Sequence, residues 1–346
     1  MIFMKIKRLL LLLISFSLLF VTLSCSNEKE DSGNADIEVM SYNEHSMSSG
    51  LFGFVFSYNK TNYLQLLAEY NGTDYIEDTE TFWDTLAEDN VTFGDSVKQD
   101  IIDHCKMVLI SSSMAAEYGV SLSDDDIEMA NNELNDIISI FGSEKKLNNH
   151  LKKYGINADD VLEYLKKKYL IIALQDKLSS EGGLCEIVDD DIWDYVKQTY
   201  IKVKHVYFDD AEHDGKAHEE LQELCNALNS GEKKFDDIAE LSEDTFISSN
   251  PDGALVGIDT LNDEYRKCAE SLEVGKYAVV KIDSGAYLIT VLDITEDDIE
   301  ENFEALYSDV SDIKFSDLIS TYYDSVEINS TEISKYDIVT AEIFVK

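Results

Sequence analysis

The chemistry this sequence offers centres on His205, which lies in the alternating run Val203-Lys204-His205-Val206-Tyr207-Phe208. With a two-residue period, Ile201, Val203, His205 and Tyr207 share one strand face, so the imidazole points into or beside a core rather than simply outward. A second alternating run, Asp283-Ser284-Gly285-Ala286-Tyr287-Leu288-Ile289-Thr290-Val291, reads as a partner strand. Together they predict a small sheet whose two ends carry polar groups facing one cleft. Such groups can favour one conformation of a bound segment over another, which requires neither nucleophile nor metal. A histidine so placed is also often a satisfied core residue, here with Tyr287 as its partner.

Metal chemistry finds no support in the pattern. Cys105, Cys185, Cys225 and Cys268 lie far apart and form no C-x-x-C pair, and helical spacing sets Cys225 beside Leu221, Leu224 and Leu228 as a small core residue. Their redox state stays open. Asp189, Asp190 and Asp191 have neither the glycine nor the later glutamate of a calcium loop, and read as the cap of a helix carrying Ile192, Trp193, Val196 and Tyr200. No metal and no cofactor is implied.

The elements that must position the cleft are read from caps and periodicity. From the end of a polar tether to about residue 200 the pattern is helical. Val97, Ile101, Ile102, Cys105, Val108 and Leu109 form one apolar face, closed by Gly119. Ser123 caps a helix through Ile127, Ala130, Leu134, Ile137, Ile138 and Phe141 that stops at Gly142, with Asp124, Asp125 and Asp126 complementing its dipole. Ser143 and Asn157 start two more. Around the cleft, helices are expected over 214–230, 234–241 and 262–272, and strands over 277–282 and 286–294. Ile299, Phe303, Leu306, Val310, Ile313, Phe315, Leu318 and Tyr322 then predict a last long helix, followed by a short strand at Val326-Glu327-Ile328.

Length and charge bound the function. At 346 residues with 44% hydrophobic residues, the chain is long enough for two folding units and a sizeable core. Seventy acidic against 28 basic residues leave a net charge of −42, which argues against a DNA, RNA or anionic-membrane face. Lys5, Lys7 and Arg8 precede the apolar run Leu9–Leu23, a signal-peptide pattern too short to span a membrane comfortably. It ends Thr22-Leu23-Ser24-Cys25, which resembles a bacterial lipobox, so Cys25 is the expected lipidation site. Simple cleavage of a secreted protein is the alternative.

The order strand, helices, strand, strand, with Val-Lys-His-Val at its start and Phe235-Asp236-Asp237-Ile238-Ala239-Glu240-Leu241-Ser242-Glu243-Asp244 within it, resembles a parvulin-type prolyl isomerase domain. The upstream stretch Glu117-Tyr118-Gly119-Val120-Ser121-Leu122-Ser123-Asp124-Asp125, followed by short capped helices, is similar to the chaperone region of PrsA- and SurA-type foldases. The resemblance implies an α+β fold: a helical chaperone-like module plus a small four-stranded sheet with helices. It divides the chain into a signal peptide (1–24), a lipid-anchored tether (25–36), the helical module (37–197), the parvulin-like domain (198–295), and a helix and short strand (296–346) packing back on the helical module.

Residue by residue, the resemblance makes His205, Asp244 and Tyr287 the catalytic cluster, and Leu255, Leu261 and Tyr265 the lining of a proline pocket. Tyr287 stands where the family has its second histidine, and the turn at Asp252-Gly253-Ala254-Leu255-Val256-Gly257 lacks the family's first glycine and its aspartate. Two functions follow: a peptidyl-prolyl isomerase and foldase, or a holdase that keeps the parvulin fold without turnover. Either would act on unfolded or partly folded exported polypeptides and their prolyl segments. It would work outside the cytoplasm, held by Cys25 to the outer face of the bacterial cell membrane, as a monomer or a homodimer. Tyr58, Tyr63, Tyr70 and Phe82 are the aromatics expected to cradle extended clients. A transporter's substrate-binding lipoprotein is disfavoured, because the repeated strand-helix units of a doubly wound sheet are missing.

Overall fold

The computed structural model describes residues 36–87 and 90–344. The expected signal peptide, the expected tether up to Ala35 and the expected lipidation site Cys25 lie outside the described residues. The fold is α+β. Seven strands are described: β1 (Glu38–Tyr42), β2 (His45–Ser48), β3 (Tyr200–Asp209), β4 (Ala254–Gly257), β5 (Tyr277–Ile282), β6 (Gly285–Leu292) and β7 (Glu327–Ile328). They form two antiparallel sheets, ordered β2-β1-β7 and β4-β3-β6-β5. The chain divides into two compact units, one made of residues up to Glu186 together with those from Ser311 on, the other of Ile187–Val310.

The helical unit is built from long capped helices. Thr92 caps Phe93–Glu117, Ser123 caps Asp124–Phe141 with a reciprocal bond from Asp126, and Asn157 with Asp160 does the same for Ala158–Ser179. Gly142 adopts the left-handed conformation that ends the second of these. Their apolar faces meet in one core that includes Val97, Ile101, Leu109, Ala130, Leu147, Val161, Leu165 and Leu174.

This unit is not purely helical up to residue 200 as periodicity suggests. A β1–β2 hairpin turns at Asn43, which takes a positive φ, and β7 pairs with β1 through Met40 opposite Ile328. Tyr63, expected to cradle clients, is instead a core residue whose hydroxyl donates to Asp100. Tyr58 and Phe82 pack against the same core, and of the four only Tyr70 is exposed. Aromatic rings at helical spacing bury more apolar area inside than they would on the surface.

In the other unit, the four-stranded sheet carries helices on both faces. Val206, Phe208, Ala286 and Leu288 pack beneath Ala217–Asn229 through Leu221, Cys225 and Leu228. Val203, Val280, Ile289 and Val291 face Asp263–Ser271 through Tyr265 and Ala269. A third cluster joins Ile192 and Val196 to Ile299, Leu306 and Val310. The helix Asp189–Thr199 and the stretch 296–310 therefore belong with the sheet, not with the helical unit to which the sequence reading assigned them. The apolar stripe of Asp189–Thr199 is covered by Ile299, Leu306 and Val310 from the helices that follow β6. The cysteines Cys105, Cys185, Cys225 and Cys268 are free. Among the described residues no helix is long and apolar enough to cross a membrane.

Candidate functional site

The site is built on the pairing of β3 with β6, where His205 stands opposite Ile289 and Tyr207 opposite Tyr287. Residues two apart share a face, so Tyr287 lies diagonally beside His205. Their rings meet edge to face with centroids 4.9 Å apart. Gly285 permits the close approach that sets this register: a Cβ there would collide with the carbonyl oxygen of Phe208.

Asp244 arrives on the short run 242–244, which lies along the edge of β3 beyond the end of β4. Tyr207 donates its backbone N–H to Ser242 Oγ, Glu243 N donates to the Tyr207 carbonyl, and Asp209 N donates to the Glu243 carboxylate. So anchored, Asp244 Oδ2 lies 2.8 Å from His205 Nε2, while Tyr265 OH lies 3.0 Å from His205 Nδ1. Both ring nitrogens are thus engaged. The second carboxylate oxygen of Asp244 accepts from Ser242 Oγ at 2.9 Å and from Phe246 N at 3.2 Å. Phe246 in turn stacks on the imidazole, centroids 4.0 Å apart.

The electrostatics fix the direction of these bonds. Burial lowers the His205 pKa below its ordinary 6.5, against the opposing hydrogen bond and charge of Asp244. Burial also raises the pKa of Tyr265, helped by Tyr287 and Asp244 nearby, so its hydroxyl keeps its proton. A neutral imidazole has one N–H and one acceptor nitrogen. The network therefore assigns Tyr265 as donor to Nδ1 and Nε2–H as donor to Asp244. Burial and the charge of Asp244 raise Tyr287 as well. His205 and Tyr265 are buried, and Asp244, Phe246, Leu261 and Tyr287 are half-buried.

This arrangement lacks the parts of a nucleophilic triad. Ser242, the nearest hydroxyl candidate, bonds to Asp244 and to backbone rather than to an imidazole nitrogen, and His205 has no nitrogen left to take its proton. Among the described residues no group of three or more histidines, cysteines or carboxylates is arranged to hold a metal ion.

In fold, the chain is similar to PrsA and SurA-like foldases. A peptidylprolyl isomerase PrsA from Bacillus anthracis is 18% identical over 64% of this chain and 96% of its own, at a TM-score of 0.28. PrsA from Bacillus cereus is 17% identical over 72% and 94%, at 0.33, and a SurA-like chaperone from Campylobacter jejuni is 14% identical over 70% and 95%, at 0.23. No family model matches the chain, and no curated protein matches it.

Five of the six cleft residues read from the sequence come together: His205, Asp244, Tyr287, Leu261 and Tyr265. Leu255 does not. It stands opposite Lys202 on the other face of the sheet and packs with Ile192, Val196 and Ile299, while its neighbour Val256, opposite Ile201, joins the cluster of Val203, Tyr265 and Leu261. A shift of one residue along a strand exchanges faces. Tyr265 is also more than pocket lining, since its hydroxyl, rather than that of Tyr287, engages His205. Phe246 and Ser242 escaped the sequence reading, although both flank Asp244, where side-chain and backbone groups two residues apart commonly bond to an aspartate.

Proposed function

We propose that this protein is a peptidyl-prolyl isomerase and folding chaperone for exported polypeptides. The observation that carries the reading is the closed network Tyr265–His205–Asp244, with bonds of 3.0 and 2.8 Å, on the cleft face of a four-stranded antiparallel sheet. Rotating a prolyl amide requires losing resonance across a barrier of about 18–20 kcal/mol, and no bond is made or broken in the process. A site that lowers this barrier must bind the twisted amide better than the planar one. An imidazole locked at both nitrogens suits that task and suits proton transfer poorly, because serving as acid or base would break its own support. The half-buried Phe246, Leu261 and Tyr287 supply an apolar seat for a pyrrolidine ring.

A coupled peptide assay on the full chain tests this. Acceleration of a prolyl peptide by the wild type, lost in His205→Ala and Asp244→Asn, is the expected result, and no acceleration by the wild type sinks it. A holdase without turnover is the second reading. It is favoured by the cover of Phe246 over the imidazole, which leaves His205 only 8% exposed, and by Tyr287 standing in place of a second histidine. Suppression of client aggregation by a wild type that accelerates no prolyl peptide would select it.

In either reading the expected location is the outer face of the cell membrane, through a lipid on Cys25. Mass spectrometry of the processed chain checks this, since acylation adds a defined mass to the peptide beginning at Cys25.

A further inference from the structure

His213 sits outside the cleft and is tied to it. It lies in the turn after β3, where its ring stacks on Phe208 with centroids 4.2 Å apart. Nδ1 meets the Glu220 carboxylate at 2.7 Å and Nε2 meets Glu243 at 3.2 Å. Glu220 belongs to the helix Ala217–Asn229, and Glu243 to the run that carries Asp244. One imidazole therefore bridges a turn, a helix and the strand-like run beside the candidate active site.

Glu243 is a pivotal partner because it is fixed at three points. Its backbone N–H donates to Tyr207, one carboxylate oxygen accepts from Asp209 N, and the other meets His213. Its neighbours Ser242 and Asp244 are the two residues that complete the His205 network. A displacement of Glu243 must be transmitted along a single peptide unit to the carboxylate that holds His205.

We propose that His213 is a positioning residue for the cleft: while it bridges Glu220 and Glu243, it holds Asp244 in hydrogen-bonding register with His205. The proposal rests on the isomerase reading only for its effect on rate, not for its effect on His205. Only a protonated imidazole can donate to two carboxylates at once, because the neutral ring has one N–H. The charged groups facing His213 are Glu220 from the helix and Glu243 from the run. Within its own turn, the Asp209 carbonyl accepts the His213 backbone N–H, the Asp209 carboxylate is occupied by Ala211 N, and the Asp210 carboxylate by Ala217 N. Burial lowers the His213 pKa, but the hydrogen bond to Glu220 and the charges of Glu243 and Glu220 outweigh it and raise the pKa above 6.5. A folded-state pKa raised above the unfolded one makes the bridge complete below about pH 6.5 and lost as pH rises through the folded value.

The test uses the full chain labelled with ¹⁵N-histidine, alongside the coupled peptide assay, in the wild type, His213→Gln and Glu243→Gln. Below the folded pKa of His213, His213→Gln should move the His205 ring resonances away from their wild-type positions and lower kcat about two- to fivefold with KM little changed, the scale of one partly exposed ion pair. In the wild type the same resonances should shift in step with the titration of His213, and in His213→Gln that step should vanish. Glu243→Gln keeps the imidazole, removes the charge and should reproduce the uncoupling, which decides the matter if His213→Gln does not fold. His205 resonances that overlay the wild type at every pH in both variants would overturn the proposal. An inactive wild type would overturn the isomerase reading, and the resonances would still decide the coupling.

Discussion

Lys60 and His205 are both withdrawn from water, one in each unit, and their surroundings differ in kind. Lys60 is fully buried. Its ammonium meets the Asp78 carboxylate at 2.9 Å and the Ala341 carbonyl at 2.6 Å, and lies 5.6 Å from the centre of the Trp83 ring. These partners come from two distant parts of the chain, and Trp83, itself core, also donates its indole N–H to Asp78. His205 is almost as buried, yet its partner Asp244 and its neighbours Phe246 and Tyr287 are half-exposed. Both carboxylate partners reach solvent; what differs is that the core Trp83 ring and the Ala341 carbonyl seal Lys60, whereas the Phe246 and Tyr287 rings around His205 are themselves half-exposed and can present chemistry to a ligand. Burial alone does not separate the two.

The sharpest way to break this comparison is at Lys60. Lys60→Ala frees the Ala341 and Val339 carbonyls and leaves a cavity in the core, while Asp78 keeps solvent and the Trp83 indole N–H, so denaturant unfolding should show a loss of about 3–5 kcal/mol. Whatever fraction remains folded should keep the proposed prolyl isomerase rate, and a selective loss of that rate would erase the distinction between the two groups.

Acid probes the same contrast. Burial drives both His104 and His150 in the helical unit down to about 4 from 6.5, with the charges of Lys168 and Lys153 respectively adding to the effect. Their folded-state pKa values lie below the unfolded ones, so the unfolded chain binds more protons between them. Stability should therefore fall as pH drops from about 6.5 towards 4, by on the order of 3 kcal/mol for His104 and by less for His150, which solvent screens. Melting temperatures across that window check it, and His104→Phe should flatten part of the slope.

At the site itself, His205→Ala leaves the Tyr265 hydroxyl and one side of Asp244 without their partner, a loss of about 1–3 kcal/mol in stability together with the proposed activity. Finer still is the pair Tyr265→Phe and Tyr287→Phe. The first removes a buried hydrogen bond and should cost about 1 kcal/mol, while the second keeps the edge-to-face contact and should cost less. Equal melting temperatures for the two variants would show that the Tyr265 bond contributes nothing.

How far the sequence revealed this architecture depended on how local each signal was. Ser123, Gly142 and Asn157 announce helix ends within a few residues of themselves, and those helices lie where their caps indicate. His205 and Tyr287 sit on alternating strands, so their shared face follows from a period of two. β4 carries the unbroken apolar run Ala254-Leu255-Val256, because one of its faces meets the cluster around Val203 and the other the cluster around Ile192. Where both faces are covered, alternation vanishes and the side to which Leu255 turns cannot be read. The β1–β2 hairpin is short and depends on β7, nearly three hundred positions away. His213 lies in a turn, seven and thirty residues from the carboxylates it joins, and no periodicity marks such a bridge.

The sheet unit is drawn from one continuous stretch of chain, whereas the helical unit needs Met40 to meet Ile328 and Lys60 to meet Ala341. A polypeptide emerging from its amino end can finish the middle of this molecule first. Its opening helices must wait, with their shared interior incomplete, until the stretch from Ser311 on has emerged to seal them. The protein thus passes its own synthesis in the half-assembled state that it is proposed to guard in others.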